Sequence, residues 1–242
     1  AMFKGFYPEV AVQGVDRNRF YSAYVQTYIE RDIRQITSVH DLKVFQNFLE
    51  LLAARAGSLL NLNEIAKESG ISFATARRWL SLLETTRIVY LLRPYTKNIS
   101  KRVVKSPKLY FTDTGLLSFL LRYPDPVTMQ SGPQGGALFE NLVVIELLKN
   151  KYNHNLNYEL YFYRDSNHNE VDVVVDCGPS VLLLEVKLTA TPREDHLSSL
   201  RSAAKQIRGA RGYLVSFTDR KDKIAATVDS IPWTDIRGVI PR

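Results

Sequence analysis

Hydrophobic positions change period several times along this chain, and each change marks an element. Residues 3–15 show no period and carry Gly5, Pro8 and Gly14. From residue 16 to about 56 the spacing is helical, through Phe20, Tyr24, Ile29 and Ile33, then Phe45, Phe48, Leu49 and Leu52. Asn61 followed by Glu64 forms a capping box ahead of Ile65 and Ala66, and Gly70 ends that helix. Ser72 caps a second helix to about residue 84, with Ala76, Leu80 and Leu83 on its inner side. Strands are predicted at 88–92 and 108–112, joined by a polar, basic connection over 95–106.

Helix, glycine turn, capped helix and two strands predict a winged-helix module over residues 56–123, preceded by a helical linker or lid segment over 1–55. Residues 123–136, rich in proline and glycine, read as a linker. Residues 137–149 form a helix that is apolar almost all round and therefore buried, yet Glu140 shares a face with Val144 and Leu147.

The period then shortens to two. Residues 170–176 and 181–187 read as strands closed by the turn Cys177-Gly178-Pro179-Ser180. A four-residue turn sets Asp176 against Val181, Asp172 against Glu185 and Glu170 against Lys187. Alternation places Val171, Val173 and Val175 with Leu182, Leu184 and Val186 on one apolar face, and the four charged residues on the other. Opposed carboxylates repel unless a cation lies between them, and Mg²⁺ (or Mn²⁺) favours such oxygen ligands. Lys187 can then orient the attacking water or stabilise charge on a phosphate. The plainer alternative is a solvated polar face with a Glu170–Lys187 ion pair. An amphipathic helix after Pro192 and a strand at 213–217 add a crossover to a parallel strand. Helix, hairpin and crossover together predict a restriction-endonuclease-like α/β domain over residues 137–242, behind an N-terminal helical and winged-helix module.

Charge sharpens the partner class. The net charge is +7. Residues 56–108 hold ten lysines and arginines against three acids, an excess equal to that of the whole chain. A basic module on a neutral remainder points to DNA. Ser72, Ala74, Thr75 and Arg78 would face base edges, with Arg77 at the groove edge, and Lys97, Lys101, Arg102 and Lys105 would meet phosphates. Winged helices also dock proteins, so that reading stays open. The apolar runs are too short to span a bilayer, so no membrane partner is expected. The single Cys177 excludes an internal disulfide and leads to the expectation of a cytoplasmic protein. Assembly as a homo-oligomer is left open.

Five strings in this order carry a resemblance: YIERDI at 28–33, KLYFTDTGLL at 108–117, FENL at 139–142, EVD at 170–172 and EVK at 185–187. Together they resemble the C-terminal region, a domain of unknown function, of bacterial and archaeal AAA-family ATPases. The resemblance implies a winged helix followed by a nuclease-like domain of the PD-(D/E)xK type. It assigns the helix glutamate to Glu140, the metal aspartate to Asp172 and the Glu-x-Lys to Glu185 and Lys187. GFYPEV at 5–10 resembles the stretch that follows the ATPase module, and the chain has no phosphate loop, so ATP hydrolysis is not expected of it. Two functions follow as expectations: metal-dependent DNA phosphodiester hydrolysis, or a non-cleaving DNA- or protein-binding regulatory region.

The basic connection yields a direct test. Replacing Lys101, Arg102 and Lys105 together with alanine should weaken DNA binding alike for all sequences. The slope of log K against log salt should become shallower by about 0.9 for each phosphate no longer neutralised. An unchanged slope in a salt titration removes this segment from the interface.

Overall fold

The computed structural model describes residues 1–28, 42–96, 106–225 and 227–241. Ile29, Ile33, Lys97, Lys101, Arg102 and Lys105, and most of the 28–33 string, lie outside the described residues. The chain forms two compact units, residues 1–91 with 109–138, and residues 92–108 with 139–242. No helix among the described residues is long and apolar enough to cross a membrane.

The first unit contains α1 (Pro8–Ala11), α2 (Arg17–Tyr28), α3 (Leu42–Ala54), α4 (Leu62–Glu68) and α5 (Phe73–Thr85). The two predicted caps form. Asn61 accepts the Glu64 N–H at 3.3 Å and Ser72 accepts the Thr75 N–H at 3.1 Å. Glu64 answers through the Asn61 side-chain amide, 3.1 Å away. Gly70 adopts φ +69°, a conformation costly for a residue with a Cβ, and so turns α4 into α5. Trp79 stands edge-on to Phe45 and Phe48 of α3, with centroids 5.0 and 5.5 Å away, which makes it a core residue.

Strands β1 (Val89–Pro94) and β2 (Lys108–Phe111) are each divided between the units. After β2 come α6 (Thr114–Leu120), α7 (Pro126–Ser131) and α8 (Gly135–Asn153). The expected linker therefore contains a helix. Asp125 accepts the N–H groups of Val127 and Thr128 at 2.8 and 2.9 Å, and Pro126 sits where a helix leaves its N–H unused. Asp-Pro, read as loop chemistry, is here a cap and a first turn.

The second unit adds β3 (Glu159–Arg164), β4 (Glu170–Asp176), β5 (Val181–Lys187), α9 (Ser198–Gln206), β6 (Ala210–Ser216), β7 (Asp222–Ala225) and β8 (Val228–Pro232). The fold is mixed α/β, with one eight-stranded mixed sheet in the order β2-β1-β3-β4-β5-β6-β8-β7. β3, β4 and β5 are successively antiparallel, and β6 lies parallel to β5. The predicted register of the β4–β5 hairpin holds from Val173↔Leu184 to Asp176↔Val181. Its turn closes with the Cys177 N–H on Ser180 O at 3.0 Å and Gly178 at φ +79°.

One expectation about faces fails. Between the pairs Tyr161↔Val174 and Tyr163↔Val171, two steps on β3 face three on β4, so β4 carries a bulge at residues 172–173. The extra residue breaks alternation. Val171 consequently joins Val174, Leu183 and Leu214 beneath Leu197, Leu200, Ala203 and Ile207 of the α9 segment. The interiors of β4 and β5 are buried on both faces, so neither face is a plain solvated surface.

In the first unit, Asp113 ties the N-terminal segment down. It is 5% exposed and accepts from the Phe6 N–H, the Tyr21 hydroxyl and the Leu116 N–H, each at 2.7 Å. Gly115 permits the approach, because a Cβ there would lie 2.1 Å from Tyr21 Oη and 2.4 Å from Lys4 O. Gly115→Ala should therefore destabilise the protein by about 1–3 kcal/mol, as overpacking does. A lowered urea midpoint checks this, and an unchanged midpoint would show that the close approach is easily relaxed.

Candidate functional site

The β4–β5 hairpin brings an acidic pair to its open end. The Val186 N–H of β5 meets a side chain of β4. It donates to Asp172 Oδ2 at 2.8 Å. The bulge and this side-chain bond fix Asp172 beside Glu185 where the described ladder ends. Both are buried, Asp172 at 8% and Glu185 at 5% exposure. Glu140, on α8, completes the group: its charge acts on Glu185, and its carboxylate holds the same lysine that faces Asp172.

That lysine is Lys108. Its ammonium lies 3.0 Å from Glu140 Oε1, 2.6 Å from Glu170 Oε1 and 3.6 Å from Asp172 Oδ1, and the residue is 2% exposed. Burial alone would pull its pKa down. Glu140, Asp172 and Glu170 outweigh that and hold it above the ordinary lysine value. Lys108 therefore leaves the basic surface excess expected of residues 56–108, being the first residue of a strand whose four residues are all buried.

The Glu170–Lys187 ion pair of the plainer alternative does not form. Glu170 bonds to Lys108 and, at 3.3 Å, to Arg164, whereas Lys187 turns back to Glu185 Oε1 at 2.7 Å. Burial lowers the Lys187 pKa, but Asp172 and Glu185 raise it further, so it stays protonated. Such a group can donate to an anion.

Among the described residues no three carboxylate, histidine or cysteine side chains gather closely enough to hold a metal ion. The donor chemistry nevertheless fits a hard divalent cation bound through two carboxylates and water. Glu185 Oε2 is buried with no hydrogen-bond partner among the described residues.

Two family models match the chain. Residues 1–126 match Domain of unknown function (DUF8612), and residues 135–236 match Domain of unknown function (DUF4143). The chain belongs to the DUF8612 family. It is 31% identical over 217 residues to Uncharacterized protein Rv2008c of Mycobacterium tuberculosis and, equally, to Uncharacterized protein Mb2031c of Mycobacterium bovis. Each match covers 90% of this chain and 48% of the relative, so the chain spans about half the length of the curated relatives it matches. The crystal structure of protein VC1899 from Vibrio cholerae aligns at 14% identity over 92% of this chain and 54% of that one, with a TM-score of 0.31.

The second group of predicted site residues lies on α5. Ser72 and Thr75 are committed to each other, with their hydroxyls 2.9 Å apart at the helix cap. Ala74, Arg77 and Arg78 are exposed, as is Phe73 beside them. Phe73, Arg77, Arg78, Ser81 and Leu82 line a shallow open groove along the helix. The face is thus apolar as well as basic, which the charge pattern did not reveal.

Glu185 gives a pH test. Burial, then Asp172, pushes its pKa from 4.5 up to about 8, with Lys187 partly opposing. A raised folded-state pKa contributes stability that is fully present below the unfolded value and lost as pH rises through the folded one. Without metal, melting temperature should carry a downward component between about pH 4.5 and 8 from this residue. Glu185→Gln should remove that component and exceed the wild type above pH 8. Parallel melting curves in chelator across this range decide it.

Proposed function

We propose that the second unit is a divalent-metal-dependent phosphodiesterase of the restriction-endonuclease-like type, with DNA as its substrate. One observation carries the reading. Asp172, Glu185 and Lys187 meet at the open end of an antiparallel hairpin, with a buried, unpartnered Glu185 oxygen among them. The order α8, β3, β4, β5, α9, β6, with β6 parallel to β5, supports the fold part of the reading.

In this reading Asp172 and Glu185 hold Mg²⁺ or Mn²⁺. The bound ion supplies a Lewis acid and a water of lowered pKa. Asp172 keeps its place through the Val186 N–H, so its second oxygen is free to face the ion once Lys108 yields. Lys187, held protonated, donates to a non-bridging phosphate oxygen and stabilises the charge that develops there. Its exposure, larger than that of either acid, suits a group that meets substrate. DNA engagement falls to the first unit, where α4, the Gly70 turn and α5 form the helix-turn-helix part of a winged helix, with Arg77 and Arg78 presented to the duplex.

A second reading rests on Lys108. The acidic group is already neutralised from within by Lys108 and Lys187, as a non-cleaving DNA- or protein-binding regulatory region would require.

Millimolar Mg²⁺ or Mn²⁺ should raise the melting temperature by binding the native state. Asp172→Asn should abolish the shift. Lys187→Ala should keep it and lose cleavage of linear, supercoiled, single-stranded and branched DNA alike. A metal shift that survives Asp172→Asn places the site elsewhere. A wild type that binds metal and DNA but cuts no DNA form establishes the non-cleaving reading instead.

A further inference from the structure

Lys108 and a divalent ion would compete for the same carboxylates. The ammonium nitrogen lies 3.0 Å from a Glu140 oxygen and 3.6 Å from an Asp172 oxygen. A cation coordinated by Asp172 would lie close to that charge, and because Lys108 is 2% exposed the repulsion would be screened less than at the surface. Two positive charges cannot share this position at low cost. Removal of the ammonium, on the other hand, leaves Glu140, Glu170 and Asp172 with one fewer compensating charge, which a metal would restore.

We infer that Lys108 is the internal counter-ion of this site: it holds Glu140, Glu170 and Asp172 in place without metal, and a divalent cation binds only by displacing its ammonium. Lys108 is thus a positioning residue that sets metal affinity. Arg164, already paired with Glu170, leaves Glu170 a partner when Lys108 departs, so the displaced state is not left with an orphaned charge there. The inference rests on the metal-site reading above and adds a residue to it.

The test measures Mn²⁺ binding by isothermal titration calorimetry at neutral pH on the full chain, for the wild type, Lys108→Met and Lys108→Arg. Lys108→Met should bind Mn²⁺ about tenfold more tightly or better, since a nearby like charge has been removed. Its melting temperature should be lower than the wild type's in chelator and recover with Mn²⁺. Lys108→Arg, which keeps the charge, should stay close to the wild type in affinity. Lys108→Met can fail to fold without metal, so a second measurement uses the wild type. Acetylation by acetic anhydride, read by mass spectrometry, should leave Lys108 protected in chelator and label it several-fold more with saturating Mn²⁺. A wild type that binds Mn²⁺ with the same affinity as Lys108→Met, or whose Lys108 stays protected at saturation, overturns the inference and leaves the metal site standing. If neither the wild type nor Lys108→Met binds Mn²⁺, the metal site itself falls and the inference with it. Binding confined to Lys108→Met supports the inference in its strongest form, with the lysine in place of the ion.

Discussion

Compensation of buried negative charge governs the second unit. Two central strands carry Asp172 and Glu185 into a region where each is more than nine-tenths buried. An uncompensated carboxylate there costs several kcal/mol. The surrounding ion pairs answer that cost. Lys108 reaches Glu140, Glu170 and Asp172, Lys187 folds back onto Glu185, and Arg164 takes the outer oxygen of Glu170. Glu185 meets it in part by holding its proton up to about pH 8. A strand pair built only for stability would carry valine or leucine at these positions, as its neighbours do. The acids are kept against the preference of the core.

Backbone irregularity supplies the room. An extra residue in β4 opposite β3 turns Val171 toward the α9 side and leaves Asp172 at a break in the alternation. The Val186 N–H donates to the Asp172 carboxylate, so a backbone group of β5 also orients the acid. On the far side β5 continues in unbroken parallel register with β6 from Val181↔Ala210 to Lys187↔Ser216. The β4 side of β5 keeps its register only from Val181 to Leu184, so Glu185 and Lys187 lie beyond the regular part of the hairpin.

The first unit solves a different problem, the attachment of an irregular N-terminal segment. Asp113 gathers three donors, two of them from residues distant in sequence, and Gly115 lets the chain come close enough for this to happen. The same aspartate caps α6 through the Leu116 N–H, so helix start and segment attachment depend on one carboxylate. Thr112-Asp113-Thr114-Gly115 forms part of the KLYFTDTGLL string, and its chemistry is that of packing.

Local rules read directly from the residues determined much of this protein. The Asn61 and Ser72 caps, the Gly70 turn, the hairpin register around Cys177-Gly178-Pro179-Ser180 and the parallel strand after α9 follow from spacing and turn chemistry, which act over a few residues. The candidates Glu140, Asp172, Glu185 and Lys187 were legible for the same reason, as acids and a lysine placed where apolar neighbours predict burial. Tertiary structure decided the rest. It moved Lys108 from an expected basic surface into the acidic site, exchanged the partners of Glu170 and Lys187, and placed a bulge where alternation predicted a plain ladder. The first depends on the fold bringing β2 residue Lys108 to Glu140, Glu170 and Asp172, and the last on how β3 pairs with β4. Ion pairing between segments more than thirty residues apart leaves no periodic trace in either one, so only the folded chain can settle it.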